Sequence, residues 1–192
     1  MDSLPLLSLV TFVPLAGACL LALLPSDNPV VIKRVALGVA VLGFIVSLPL
    51  VGYDVSEPAV ASALQFAERY YWVPEFGVSW HLGIDGISLW LVMLTTFLGP
   101  IVILGSWQAV EKRPKEFFFH ILALQTAMLG AFLAQNLAVF YLFWELMLVP
   151  MFFLIGIWGG PERIYATVKF VLFTVFGSML MLAAIFYIYW LH

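Results

Sequence analysis

Residues 121–157 read ILALQTAMLGAFLAQNLAVFYLFWELMLVPMFFLIGI, and Glu145 is the only charged side chain among them. A helix needs about 20 predominantly apolar residues to cross the hydrocarbon core of a bilayer. This stretch is long enough for nearly two crossings, and Gln135-Asn136 in its middle is the polar punctuation of a very short hairpin turn. Residues 87–107 hold no charge at all, and the chain of 192 residues is 64% apolar and 10% charged. Soluble domains carry about a quarter charged residues. The sequence is that of an all-α integral membrane protein, not of a soluble domain.

Six spans are expected, over about 4–24, 31–53, 87–107, 116–134, 137–158 and 164–190. Pro25 with Ser26-Asp27-Asn28-Pro29 separates the first two, Glu111-Lys112-Arg113-Pro114-Lys115-Glu116 the third and fourth, and Gly159-Gly160-Pro161-Glu162-Arg163 the last two. Met1-Asp2-Ser3 lacks the positive n-region of a secretory signal, so the first span is expected to be retained. The connection from Asp54 to Asp85 differs from the rest, with five acids, one arginine, one histidine and the group Tyr70-Tyr71-Trp72. Such aromatic side chains favour the membrane interface, and residues 58–69 fit a short helix lying along it. The chain thus divides into helices one and two (1–53), an extracytoplasmic loop (54–86) and helices three to six (87–192).

Orientation follows from the cations. Loops one, three and five, with the helix ends beside them, carry Lys33, Arg34, Lys112, Arg113, Lys115 and Arg163, whereas the opposite side carries Arg69. By the positive-inside rule the odd loops face the cytoplasm and both ends of this chain face the other side, as a multi-pass protein of the cell's inner (plasma) membrane.

Glu145 falls in the middle of the fifth span. A carboxylate near the bilayer centre costs at least about 2.5 kcal/mol on insertion scales, and such residues mark ion pathways by default. Of its helix neighbours Tyr141, Leu142, Leu148 and Val149, only Tyr141 offers a polar group. A carboxylate balanced between desolvation and a cation from another helix or water can take and release a proton. The bland alternative is a protonated Glu145 making one structural hydrogen bond. Pro150, five residues on, frees a backbone carbonyl and is expected to bend the helix. Lys169 lies about five residues inside the sixth span, roughly 7–8 Å deep, and Glu145 roughly 18 Å from the same face. The two charges are offset by about 10 Å, which argues against a direct salt bridge. Lys169 can also snorkel to the interface on its long stem.

Weaker signals are read as structural. Thr167, Thr174 and Ser178 share one face of span six, where small polar residues pack helices together. His120 at the start of span four titrates near neutrality when unperturbed, but a lone interfacial histidine is more often structural. Pro100 predicts a kink, and Cys19, alone in an apolar run, is expected to be packing. Neither a haem histidine pair, a cysteine cluster for iron–sulfur or zinc, nor a glycine-rich phosphate loop is present in the sequence. No cofactor, metal or nucleic-acid partner is expected, and no small-molecule substrate beyond protons.

Residues 143–155 (FWELMLVPMFFLI) resemble the fifth-helix signature of the M-chain family of NADH-quinone oxidoreductase, the bacterial counterparts of subunit 4 of mitochondrial complex I. Residues 81–89 (HLGIDGISL), continuing into 94–98 (LTTFL), resemble that family's entry to the third helix. Residues 163–170 (RIYATVKF) resemble the start of its sixth helix. The resemblance runs over essentially residues 1–190, in order, and covers the N-terminal portion of a fold of about fourteen helices built on inverted repeats. It implies an antiporter-like pumping module in the membrane arm, with other membrane-arm subunits and the lipid bilayer as partners. Electrons pass from NADH to quinone elsewhere in such a complex. Glu145 would be the intramembrane proton carrier and Lys169 a contributor to the polar axis. The seventh-helix lysine of that family has no equivalent in this chain, so the chain alone is not expected to pump. Competing readings are a subunit of a multi-chain sodium–proton antiporter or membrane-bound hydrogenase, and a non-pumping structural fragment.

Overall fold

A computed structural model describes residues 5–52, 64–73, 75 and 77–191. Its helices are α1 (Leu6–Leu23), α2 (Pro29–Ser47), α3 (Gly86–Gly105), α4 (Pro114–Leu133), α5 (Leu137–Trp158) and α6 (Arg163–Leu191). A 3-10 turn over Leu48–Gly52 prolongs α2 into one apolar span. All six are long and apolar enough to cross a membrane, and the expected boundaries lie within a few residues of those observed.

Local chemistry sets the ends. Asn28 and Asn136 cap α2 and α5 by accepting hydrogen bonds from Val31 N (3.4 Å) and Ala138 N (2.9 Å), which satisfies first-turn donors that lack helical partners. Pro29 and Pro114 sit in first turns, where a missing N–H costs nothing. At α3, Asp85 Oδ1 accepts from Ser88 N (2.7 Å) and Ile87 N (3.0 Å), and Asp85 N donates to Ser88 Oγ (2.8 Å). That is a reciprocal capping box. The backbone N–H of Ser88 holds the Asp85 carboxyl below its ordinary range, against the opposing effect of partial burial. α1 has no cap of its own, since Pro5 offers no side-chain acceptor.

Helix α4 is the hub. It packs against α1, α2, α3 and α5, and half of its apolar window is buried (50%). α6 packs on α5, and only 6% of its window is buried. Close approach is bought with glycine: a Cβ on Gly17 of α1 would fall 2.2 Å from Val39, and one on Gly130 of α4 would fall 2.3 Å from the Phe143 ring. Small residues at such crossings let helix backbones approach in an apolar solvent that gives no hydrophobic drive.

The 54–86 connection departs from expectation. Residues 58–63 of the proposed interfacial helix lie outside the described residues, but from Gln65 onward the chain is extended, not helical. β1 (Gln65–Val73) pairs antiparallel with β2 (Val78–Ile84), placing Arg69 opposite His81 and Tyr70 opposite Trp80. Gly77 turns the chain with φ +64°, a conformation glycine adopts freely. The reason for the strand is tertiary. β2 buries Leu82 and Ile84 in one cluster with Leu7, Val10, Leu89, Val92, Leu129 and Leu133, while Tyr70, Tyr71 and Trp72 of β1 stay exposed. Glu68 of β1 supplies the cap that α1 lacks, accepting from Leu7 N (2.6 Å), Ser8 N (3.2 Å) and Ser8 Oγ.

Further hydrogen bonds join the remaining connections. Lys115 Nζ donates to Leu24 O (2.6 Å), Lys33 Nζ to Trp107 O (2.6 Å) and the Trp158 indole to Lys112 O (2.8 Å).

Candidate functional site

The helix that carries Glu145 is held at its start by the hairpin. Gln135 N donates to His81 O (2.8 Å), its side-chain amide donates to Gly83 O (3.2 Å), and Ala134 forms a bridge with Leu82. Two turns on, Phe143 is buried over Gly130 and meets the Trp80 ring edge-on at 5.7 Å. Because Phe143 and Glu145 are two residues apart, about 200° on the helix, anchoring the ring turns the carboxylate to another face of α5.

There Glu145 is half-buried, and its Oε1 is buried with no hydrogen-bond partner among the described residues. The Tyr141 hydroxyl is close enough to interact with both the Glu145 carboxylate and the Ser178 side chain of α6. Beside them, Thr174 and Ser178 line a cavity of about 510 Å³ between α5 and α6, together with Trp144, Met147, Met151 and Phe170. An unpaired buried carboxylate oxygen is costly. It lies next to the Tyr141 hydroxyl and near a largely apolar cavity whose polar wall groups are Thr174 and Ser178. Pro150 is buried within α5, which runs through it.

Lys169 is placed elsewhere. It is exposed on α6 with Nζ 6.0 Å from the Tyr165 ring centroid, and among the described residues the one ion pair is Arg113–Glu116. Glu145 and Lys169 are therefore not brought together. The hydroxyls of Thr167, Thr174 and Ser178 donate to carbonyls of their own helix (Arg163, 2.6 Å; Phe170, 2.7 Å; Val175, 3.1 Å), and Thr167 packs on Gly156 of α5. His120 bonds Glu116 O through Nδ1 (2.7 Å) and meets the Phe153 ring at a tilt (centroids 4.9 Å apart), a staple between α4 and α5. α3 continues through Pro100. Cys19 is a correction: it is exposed on α1 rather than packed, because Gly17, Ala18 and Leu21 take the inward positions.

Two polar features escaped the reading of the sequence. Gln125 on α4 is buried, donating to Thr95 O (3.4 Å) with Oε1 unpaired. The Ser47 and Thr96 hydroxyls meet at 2.9 Å between α2 and α3. A lone amide inside a span was a signal for the first. The Glu68 cap of α1 also went unread and carried no such signal, since its partner lies 60 residues away.

Two family models match the chain: "NADH-ubiquinone oxidoreductase chain 4, amino terminus" over residues 59–131, and "NADH:quinone oxidoreductase/Mrp antiporter, TM" over residues 134–192. NADH-quinone oxidoreductase subunit M of Rhodobacter capsulatus is 47% identical over 184 residues, 93% of this chain and 35% of that protein. The chain superimposes on a chain of respiratory complex I from Thermus thermophilus with TM-score 0.76 at 30% identity, covering 94% of this chain and 35% of the other. An archaeal membrane-bound sulfane sulfur reductase shares the fold, with TM-score 0.78 at 16% identity over 94% of this chain and 36% of that one. The chain spans a little over a third of the length of the curated relatives it matches.

The fold is that of an antiporter-like, multi-pass membrane module. Within that class the chain belongs to the NADH-quinone oxidoreductase chain 4, or subunit M, family.

Proposed function

We propose that this chain forms part of a proton-translocating membrane-arm subunit of a NADH-quinone oxidoreductase, with electron transfer confined to other subunits. One observation carries the reading: a half-buried glutamate in mid-helix, with one oxygen unpaired, beside a tyrosine hydroxyl and a cavity of about 510 Å³. Glu145 is the proton carrier. As a carboxylate it accepts a proton, and as an acid it donates one, with Tyr141 able to hydrogen-bond either form. Lys169 contributes to the polar axis from the outer face of α6, where its ammonium is available to groups brought against that face. The basic loops face the cytoplasm, and residues 54–86 and both ends of this chain face the opposite side. The other partners are the lipid bilayer and further membrane-arm subunits, and the transported species is the proton.

The test is Glu145→Gln and Glu145→Asp in the intact assembly, reading proton uptake per NADH oxidised. Gln is expected to abolish or sharply reduce pumping, and Asp to keep more of it. Unchanged pumping in Glu145→Gln sinks the assignment, and equal loss in both variants means packing rather than ionisation. A second reading is favoured by the family description that names the Mrp antiporter: a subunit of a sodium–proton antiporter. A requirement for sodium in transport decides for it.

A further inference from the structure

At the α5–α6 edge two cavities meet. The first, about 500 Å³, is bordered by Lys112, Arg113, Trp158 and Arg163, with Glu111 as its one acid. The second, about 360 Å³, is lined by Phe152, Phe153, Gly156, Ile164 and Val168 and is almost wholly apolar. Arg113 and Ile157 line both, so the two lie side by side. The polar cavity sits at the helix ends and the apolar one runs from it along the spans. A charged compartment beside a greasy slot matches the form of a phospholipid, whose phosphate lies at the interface and whose acyl chain lies along the helices.

The electrostatics are asymmetric. Arg113 is taken up by Glu116 through Nε–Oε1 (2.9 Å) and a second contact. Lys112 and Arg163 form no ion pair among the described residues. The Trp158 indole donates to Lys112 O (2.8 Å), which pins the loop bearing that lysine over the slot, and tryptophan is itself an interfacial residue. Basic pockets between membrane helices recognise anionic headgroups in this way. We infer that the α5–α6 edge binds an anionic phospholipid, with its phosphate between Lys112 and Arg163 and one acyl chain in the slot formed by Phe152, Gly156, Ile164 and Val168.

The protein in its native assembly is purified in mild detergent, exchanged into nanodiscs of phosphatidylcholine with increasing shares of phosphatidylglycerol, and assayed for retained lipid by native mass spectrometry. Phosphatidylglycerol is expected to be retained over phosphatidylcholine. Lys112→Gln with Arg163→Gln should weaken retention about thirty-fold, whereas Arg34→Gln, an exposed cation outside both cavities, should leave it unchanged. Glu111→Gln should strengthen it. Val168→Trp, which fills the slot, should weaken lipid binding. Equal retention of the two lipids overturns the proposal, as does an unaffected double variant. Competition by inorganic phosphate as effective as that by short-chain phosphatidylglycerol, with no effect of Val168→Trp, would assign the site to a free anion instead.

Discussion

The first turn of α1 is held by Glu68, a side chain of β1. The first-turn N–H groups of a helix have no partners within it, and Pro5 supplies none for α1. Glu68, reached across 60 residues of chain, takes Leu7 N at 2.6 Å, Ser8 N at 3.2 Å and Ser8 Oγ. Replacing it with alanine removes a cap worth about 1 kcal/mol and a negative charge at a helix N-terminus worth about 0.3–1 kcal/mol. It also leaves partly buried donors unmet, so the local loss should be about 2 kcal/mol, or roughly thirty-fold in the opening equilibrium. Glutamine keeps an acceptor oxygen but not the charge, so about 1 kcal/mol, or roughly five-fold, is expected. Hydrogen exchange followed by mass spectrometry, on the protein in nanodiscs, reads both ends of the contact: the first turn of α1 and β1. Exchange should accelerate in the order wild type, Glu68→Gln, Glu68→Ala, while α5 stays protected. If Glu68→Ala exchanges within about two-fold of wild type at Leu7 and Ser8, Glu68 does not cap α1.

Three further outcomes follow from other contacts. Gly130→Ala should lower thermal stability by the equivalent of about 1–3 kcal/mol, because its Cβ meets the Phe143 ring at 2.3 Å; Phe143→Leu should restore part of the loss, and no interaction between the two changes would refute the packing account. Tyr141→Phe should slow proton uptake while leaving electron transfer to an artificial acceptor unchanged, and by less than Glu145→Gln; a larger effect than the glutamate variant would make the tyrosine the carrier. Asp85 has a folded-state pKa below its ordinary 3.8, so its capping contribution is present above that value and is lost as pH falls through the lower one. Asp85→Asn should keep most of the cap at neutral pH and flatten this acid limb of the unfolding curve, since asparagine caps nearly as well without titrating.

The helices were legible because a span announces itself within a window of about 20 residues, and caps such as Asn28-Pro29 and Asp85 to Ser88 are local too. Glu145 was legible because charge is rare where it sits. The hairpin was not, because Gln65–Val73 is a strand only through its pairing with Val78–Ile84 and the burial of that partner's Leu82 and Ile84. An acid-containing segment read alone matches an interfacial helix equally well. The same limit hid the Cys19 orientation, since a helix apolar all round carries little record of which face turns inward.

The bonds between connections have a topological consequence. A hydrogen bond cannot reach across a bilayer, so connections joined by one share a side of it. Lys115 with Leu24, Lys33 with Trp107 and Trp158 with Lys112 link three connections at one end of the bundle. Glu68 with Ser8 and Gln135 with His81 link the start of α1, the hairpin and the α4–α5 turn at the other. Sidedness is thereby reduced to one binary variable for all six crossings. A cysteine engineered at Glu111 in a Cys19→Ser background, challenged with an impermeant thiol reagent from one side and then the other, assigns the compartment of every connection at once.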